Sequence, residues 1–339
     1  MKNTTGRIGL ALPPKNTSKN NSSGNGLIPA DVRDDLLSKL DASPEINEIV
    51  HCDLQNAHIK NGKVYDGDIC LSDLDLVCWY YFTEADPTAW EHTVLNTLSQ
   101  TTTVIPDPKG HLTGRDKFRA HTRLRNAGID TADFSLFRAS DVHRAVDNLA
   151  DWETILLKPT LGDFGQGIHM VKTAQAMIDA VEYTQSFSPK ELLIFCEKFE
   201  ENDLDKWISA TVIDGEVVLG YKKKMETFVD NWKVYDPGRM GGRIDYVDPS
   251  PVEDIALAAA QVMGCDIIGF DFVYSTEQEK YLIVDENTFP GMYQECFEAS
   301  GKGSWSEHFH RMIMNHLCGN YRMTVLAERL QMSGISHHA

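Results

Sequence analysis

Apolar positions recur along the chain at the spacings typical of short strands and of amphipathic helices. In the first third, strand-like runs at 7–12, 46–52 and 74–82 alternate with helix-like segments, the first of them from about Pro29 to Leu40. Alternation of this kind is typical of an open, mostly parallel sheet covered by helices. It predicts an α/β domain over about residues 7–105.

After residue 105 the pattern changes to longer helices and closely spaced strand pairs. A helix-like segment at 114–129 has a glycine near its end, and strand-like runs at 153–158 and 168–172 flank a glycine-rich stretch. Near the C-terminus, Ser304 followed by Glu307 predicts a capping box, so the histidines after it are interpreted as part of a helix rather than as metal ligands. The pattern predicts further α/β lobes and shows no internal repeat.

Composition and charge narrow the class of protein. The 339 residues are 42% hydrophobic and 24% charged, as in an ordinary globular protein, and the net charge of −18 argues against nucleic acid as the main partner. No apolar run approaches the ~18–20 residues that span a bilayer, and the start of the chain is too weakly apolar for a signal peptide. We therefore expect a cytoplasmic protein without a membrane partner, whose seven scattered cysteines are free thiols.

The stretch "LLKPTLGDFGQGIHMV", residues 156–171, places one lysine ahead of three glycines. A Walker loop needs its lysine after the glycines, and a Rossmann turn opens a helix, whereas an apolar alternating run follows here. The stretch predicts a β-hairpin whose backbone N–H groups can approach an anion, with the lysine supplying a charge. The alternative is an ordinary tight turn. The residues concerned are Lys158, Gly162, Gly165 and Gly167.

Two later strands carry oxygen ligands within apolar runs. Asp271 interrupts "FDFVYS", and Asp285 and Asn287 stand two apart in "LIVDENTFPG". Residues two apart on a strand project from one face, so these side chains are expected to share a space, while Glu286 points to the opposite face. Carboxylate and amide oxygens suit Mg²⁺ (or Mn²⁺), which completes its coordination with water and nucleotide phosphates. The alternative is a solvated strand end.

These segments resemble those of the ATP-grasp superfamily, and within it the RimK-type glutamate ligases and glutathione synthetases. "GRDKFRAHTRLRNAGI" is similar to a family helix whose lysine touches ATP phosphates, and the glycine hairpin is similar to one whose lysine binds the α- and β-phosphates. The resemblance implies ATP and Mg²⁺ as cofactors and a metal site at the two aspartates and the asparagine. It also implies an adenine hinge and a nearby ribose contact. The nucleotide residues so implied are Lys117, Lys158, Gly162, Gly165, Gly167, Glu197, Lys198, Phe199 and Asp205.

The acceptor side is implied by the same resemblance and is less specific. Basic residues between hinge and metal strands bind the acyl phosphate and the acceptor in the family, which makes Lys222, Lys224 and Arg239 the candidates here. The lysine run alone also fits a solvated strand end. The sequence departs from the family pattern at three places: Asp163-Phe164 replaces the usual serine, Asp285 stands where glutamate is commoner, and Trp207 stands where arginine is usual.

The expected fold is therefore α/β, an ATP-grasp fold with an N-terminal open parallel domain and two lobes that clamp ATP. The expected boundaries are 7–105, then a small lobe at 106–196, a large lobe at 197–320 and a tail at 321–339. The expected function is an ADP-forming carboxylate–amine ligase that acts through an acyl phosphate on small-molecule or peptide substrates. The alternatives are an ATP-grasp kinase and a non-catalytic ATP-binding module.

Two further expectations concern the substrate pocket and the assembly. Tyr80 and Tyr81, at a strand end, are expected to line the pocket, and the polar 13–26 segment is either a substrate loop or a surface insertion. The resemblance alone suggests a homo-oligomer.

Overall fold

A four-stranded parallel sheet forms the N-terminal part of the molecule. The computed structural model describes residues 6–12, 30–80, 88–162, 165–225 and 242–319. The strand order is β2-β1-β6-β7, with every neighbouring pair parallel, as the alternating pattern predicts. The elements are β1 (Gly6–Ala11), α1 (Ala30–Asp41), β2 (Ile46–His51), β6 (Leu76–Trp79), α2 (Trp90–Leu98) and β7 (Thr103–Ile105).

A small antiparallel sheet is inserted between β2 and β6. It consists of β3 (His58–Lys60), β4 (Lys63–Asp66) and β5 (Ile69–Cys70). Asn61 and Gly62 have φ angles of 51° and 77°, the left-handed backbone that a two-residue hairpin turn requires.

An antiparallel sheet with its own core carries the glycine-rich hairpin. The strand order is β10-β9-β11-β8, and an apolar cluster that includes Val142, Leu157 and Val181 packs between this sheet and its helices. The elements are β8 (Phe134–Arg138), α5 (Val142–Trp152), β9 (Ile155–Lys158), β10 (His169–Val171), α6 (Ala174–Ser186) and β11 (Leu193–Lys198).

A five-stranded antiparallel sheet forms the remainder of the described chain, in the order β14-β13-β12-β15-β16. The edge strand β16 carries the predicted metal ligands. The elements are β12 (Ile208–Ile213), β13 (Glu216–Met225), β14 (Gly242–Tyr246), α7 (Glu253–Met263), β15 (Ile267–Ser275), β16 (Lys280–Asn287), α8 (Gln294–Ser300) and α9 (Trp305–Leu317). Gly264, with φ of 66°, ends α7 in the left-handed conformation that the glycine predicts.

The start of the helix predicted at 114–129 is wrong. Two helices meet there, α3 (Pro108–Arg115) and α4 (Lys117–Asn126), and Asp116 separates them with an extended backbone. The Asp116 side chain accepts from the N–H of Arg119 at 2.9 Å, which is an N-cap that begins a new helix. The sequence analysis also missed β8, α5 and α8, whereas the capping box of Ser304 and Glu307 is confirmed at the start of α9.

The buried apolar residues do not form one cluster for each of the four sheets. One cluster joins the parallel sheet to α8, α9 and part of the five-stranded sheet, with Trp79, Tyr80, Phe289 and Phe309 among its buried members. A second cluster packs α4 and α7 on the five-stranded sheet. No helix in the described part of the chain is long and apolar enough to cross a bilayer.

Candidate functional site

One face of the five-stranded sheet gathers the predicted carboxylates. Asp271 of β15 lies directly opposite Asp285 of β16 and, on its other side, opposite Ser209 of β12. The Ser209 hydroxyl donates to Oδ1 of Asp271 at 2.5 Å. Side chains directly opposite one another in an antiparallel pair share a face, so the register itself brings the two aspartates together.

Lys117 reaches this face from the first turn of α4. Its side chain is buried, and its ammonium donates to Oδ1 of Asp285. Its backbone N–H donates to the carbonyl of Thr160 at 2.9 Å, so the start of α4 is tied to the base of the glycine hairpin. The predicted phosphate lysine thus lies beside the predicted metal carboxylate.

Lys158, at the end of β9, is also buried. Its ammonium lies 2.5 Å from Oε1 of Glu197 and donates to the carbonyl of Val284 on β16 at 3.0 Å. Glu197 is two residues beyond Phe195, the cross-strand partner of Lys158, so both side chains occupy one face of their sheet. Although burial would raise it, Lys158 and His121 hold the pKa of Glu197 below its ordinary value.

Asp285 is a carboxylate surrounded by ammonium groups. Burial alone would raise its pKa, but Lys117, Lys158 and Lys223 together lower it. The lysines therefore keep this aspartate ionised. They also concentrate positive charge where a polyanion such as a nucleoside triphosphate could bind.

The oxygen donors fit a hard divalent cation. Asp271 and Asp285 are partly exposed on the shared face, and Asn287 lies two residues beyond Asp285 on β16. The amide oxygen of Asn287 accepts from the N–H of Phe289 at 3.0 Å, and an amide oxygen has a second lone pair. No group of three or more His, Cys, Asp or Glu suited to a metal occurs in the described ranges, so Asn287 and nonprotein ligands must complete any site.

Lys223 joins this site, although the sequence analysis did not single it out. Its ammonium lies 3.1 Å from Oδ2 of Asp271, and Asp271 raises its pKa against the opposing effect of burial. The side chains of Lys222 and Lys224 project from the opposite face of β13. There Lys222 lies 3.5 Å from Asp205, and Lys224 lies 2.8 Å from Asp245. The structure therefore separates the two predicted acceptor lysines from the metal carboxylates.

The β9–β10 hairpin lies where the sequence predicts it, and the residues predicted to form the hinge lie at the end of β11. Gly165 and Gly167 have φ angles of 67° and 70°, a backbone that favours glycine. At the end of β11, the N–H groups of Lys198 and Phe199 donate to the carbonyls of Asp133 and Thr154, at 2.7 and 3.1 Å. Those donors are already bonded within the protein, and the predicted adenine contact stays a prediction.

Several predicted positions lie elsewhere. The Asp205 side chain is fully exposed at a short 3₁₀ helix, and its predicted ribose role stays a prediction. Tyr80 is completely buried against Phe289, Trp305 and Phe309, so it belongs to the core and not to a substrate pocket. Outside the described residues lie Tyr81, Asp163, Phe164, Arg239, segment 13–26 and tail 321–339.

Sequence reasoning also missed His121, which lies one turn after Lys117 on α4. Its Nε2 is 3.1 Å from Oε2 of Glu197, and its Nδ1 is 3.1 Å from Oε1 of Glu286. Glu286 does point away from Asp285, as predicted, but it is buried against this imidazole. Two signals in the sequence could have found this contact: His121 lies four residues after Lys117, and Glu286 is a charged residue within an apolar strand.

Comparison with known proteins places these motifs in context. The RimK-like ATP-grasp domain family matches residues 114–299, more than half of the chain. The coenzyme gamma-F420-2:alpha-L-glutamate ligase of Methanococcus maripaludis is 27% identical over 178 residues, which are 52% of this chain and 59% of that protein. The D-alanine–D-alanine ligase of Haemophilus ducreyi is 22% identical over 210 residues, 58% of this chain and 65% of that protein. The chain thus matches about three fifths of each relative's length.

The similarity to a solved structure extends over more of the chain than the sequence similarity to these relatives does. The D-alanine–D-alanine ligase of Bacillus anthracis complexed with ATP has a TM-score of 0.61 and covers 92% of this chain and 97% of its own, at 17% sequence identity. At such low identity the likeness shows the fold alone, and it confirms the predicted ATP-grasp architecture.

Proposed function

Because the chain belongs to the RimK-like ATP-grasp family, we propose that it is an ADP-forming carboxylate–amine ligase. The observation that carries the proposal is the gathering of three lysines around two aspartates that share one face of the five-stranded sheet, beside the glycine hairpin. In this proposal ATP lies between the lobes 106–196 and 197–320. The seven unpaired cysteines support a reducing, cytoplasmic compartment.

The reaction has two steps. A carboxylate oxygen of the first substrate attacks the γ-phosphorus of ATP, the bond to the β-phosphate oxygen breaks, and ADP and an acyl phosphate form. An amine then attacks the acyl carbon, inorganic phosphate leaves, and the amine loses a proton to give an amide. The protein contributes mainly position and charge neutralisation, as in other phosphoryl transfers.

The roles follow from where each group lies. Lys117 and Lys158 bind the phosphates from the small-lobe side, and Asp271, Asp285 and Asn287 would hold Mg²⁺. When bound, that ion neutralises charge on the β- and γ-phosphates. The glycine hairpin covers the nucleotide and excludes the water that would hydrolyse an acyl phosphate.

Lys223 is our candidate for the cation beside the transferred phosphoryl group. It lies on the same face as the aspartates, whereas Lys222 and Lys224 lie on the other. Arg239 stays a candidate from resemblance for the carboxylate or the acyl phosphate.

The substrates are proposed at the level of class. The relatives are named for ligation of glutamate and of D-alanine, so amino acids and short peptides are the first compounds to test as carboxylate and amine. ADP release measured over a matrix of such pairs should require one carboxylate, and hydroxylamine should trap the intermediate as a hydroxamate. A stable phosphate ester without hydroxamate would favour the kinase, and ATP binding without turnover would favour the non-catalytic module.

Variants on one strand test the assignment of Lys223. Lys223→Met should lower kcat about 10²–10³-fold, because it removes a cation that faces the developing charge. Lys222→Met and Lys224→Met, which remove neighbouring ammonium groups from the opposite face, should change kcat by less than about threefold. The reverse ranking would return the acceptor role to Lys222 and Lys224.

A further inference from the structure

A row of buried ionisable groups joins the small-lobe sheet to the metal strand. It runs from Lys158 through Glu197 and His121 to Glu286, with successive N–O distances of 2.5, 3.1 and 3.1 Å. The proposed reaction uses only its first member. Lys158 lies on β9, Glu197 on β11, His121 on α4 and Glu286 on β16, so the row spans four elements.

The imidazole of His121 is fully buried. Its side chain and that of Glu286 have no exposed surface, and the rings of Phe134 and Phe195 stand edge-on to the imidazole at centroid distances of 5.5 and 5.3 Å. Buried charges are costly unless they are paired. The Glu286 carboxylate has no hydrogen-bond donor in the described part of the chain, which leaves the imidazole as its countercharge.

Charge balance requires a protonated imidazole. Two carboxylates in the row face one ammonium and one imidazole, so the row is neutral only when His121 is an imidazolium. Burial alone would lower the pKa of His121, but Glu286 and Glu197 raise it to about 9.

The two carboxylates of the row contact or adjoin groups that the proposed reaction uses. Glu197 contacts Lys158, and Glu286 stands between Asp285 and Asn287 on the edge strand β16. His121 also shares the inner face of α4 with Lys117, one turn earlier. A shift of His121 would therefore be transmitted to both phosphate lysines and to the metal ligands.

We propose that His121 is a positioning residue that holds Lys158, through Glu197, and the Asp285–Asn287 segment, through Glu286, in one fixed arrangement. This inference rests on the proposed function, because it assigns a purpose to the nucleotide lysine and the metal strand. It concerns the geometry of the nucleotide site and not the chemistry at the acyl carbon.

A structural role and a positioning role of the His121–Glu286 pair predict different effects of substitution. Replacing a buried ion pair with apolar residues of similar volume is often neutral or stabilising, whereas removing one partner is strongly destabilising. A merely structural His121–Glu286 pair could therefore be exchanged for two leucines without loss of function. A positioning pair could not.

The experiment compares nucleotide binding with thermal stability in the full chain. Calorimetric titration with Mg²⁺ and AMP-PNP, a non-hydrolysable ATP analogue, is carried out on wild type, His121→Leu and the double variant His121→Leu/Glu286→Leu. The single variant should lower both the Tm and the affinity. The double variant should recover the Tm and still bind about 10–100-fold more weakly, the range seen when supporting residues around a site are changed.

A matched control removes another buried, hydrogen-bonded imidazole. His308 is buried in α9, a helix that packs against α1, and its Nε2 lies 2.8 Å from the carbonyl of Lys302. His308→Leu should lower the Tm and leave AMP-PNP affinity unchanged. An affinity of the double variant within about threefold of wild type would overturn the inference, because positioning predicts at least tenfold.

Glu286→Gln keeps the shape of the side chain and covers the case in which the leucine variants do not fold. It should raise the Mg²⁺ concentration that half-saturates AMP-PNP binding by about tenfold, and an unchanged Mg²⁺ dependence would overturn the inference. Failure of the wild type to bind AMP-PNP would instead count against the proposed function, and the inference would fall with it.

Discussion

At the scale of single residues, Lys158 is held more firmly than a surface lysine. Glu197 and the Val284 carbonyl fix its ammonium from two sheets, at 2.5 and 3.0 Å. A lysine that is already desolvated and oriented loses little further entropy when a phosphate arrives. The same contacts make the lysine costly to remove, since Glu197 is buried with it.

Lys158→Met should lower kcat/KM for ATP about 10²–10³-fold, or about 2–4 kcal/mol, because it removes an oriented cation from a site of low exposure. Steady-state ADP release is the measurement. Lys280→Met, which breaks an exposed pair with Asp130, serves as the control and should leave kcat/KM unchanged. A loss below about threefold for Lys158→Met would make this lysine a structural residue.

The imidazole of His121 predicts a pH dependence of stability. Its pKa is raised from 6.5 to about 9 by Glu286 on β16 and Glu197 on β11, which are the charged groups in contact with it. A raised pKa in the folded state gives a stabilisation that is complete below pH 6.5 and is lost as the pH rises through about 9. The free energy of unfolding of wild type should therefore exceed that of His121→Leu most at low pH. Urea unfolding across this range that gave a constant difference would contradict the assignment.

At the scale of elements, the β9–β10 hairpin is anchored at its base, and its side chains become more exposed just beyond β9. Strands β9 and β10 pair at three positions, and Thr160 accepts from Lys117, whereas Leu161 is about half exposed. Each of the glycines at 162, 165 and 167 loses more conformational entropy on becoming ordered than another residue would.

Amides of 161–167 should exchange hydrogen rapidly in the free protein and more slowly with Mg²⁺ and AMP-PNP, because a covering hairpin orders on its ligand. Hydrogen exchange followed by mass spectrometry tests this. Strand β11, central in its sheet, provides the internal control and should exchange slowly in both states. Slow exchange at the tip without nucleotide, unchanged on addition, would argue against a lid.

At the scale of the whole molecule, the parallel sheet and the five-stranded sheet share one core. The Tyr80 ring lies 5.1 Å from both Phe289 and Phe309, and Trp79 lies 5.8 Å from Phe289. Helix α1 also packs against α9. The region before residue 106 therefore covers apolar surface of the lobes that follow.

A fragment of residues 106–339 should fail to unfold cooperatively, since removal of residues 1–105 exposes this aromatic cluster to water. Near-ultraviolet circular dichroism and thermal scans of the fragment and the full chain provide the test. A sharp transition and aromatic signal matching those of the full chain would show that the later lobes are independent.

Local signals predicted much of this architecture. The Ser304–Glu307 capping box, which the sequence predicts, is confirmed, and the left-handed glycine after α7 and the Asn61-Gly62 turn depend equally on residues close in sequence. The break before α4 was missed because Asp116 was interpreted as a helical residue rather than as an N-cap.

The composition of the site was less predictable than its motifs. The pairing of Lys223 with Asp271 depends on the register across β13, β12 and β15, which no local pattern specifies. The contact between His121 and Glu286 likewise requires knowing that α4 packs beside the edge strand β16. Motif spacing located the aspartates and Lys158, the family resemblance added Lys117, and long-range packing decided which neighbours these residues have.

The shared core also limits how specificity can be exchanged between relatives. A chimera that replaced residues 7–105 alone would place foreign side chains against Phe289, Trp305 and Phe309, which pack against Tyr80 in this protein. Recombination at the apparent domain border should thus produce mostly misfolded hybrids. Crossover points that transfer helix α9 and the loop after β16 together with the N-terminal sheet would keep the aromatic cluster within one parent.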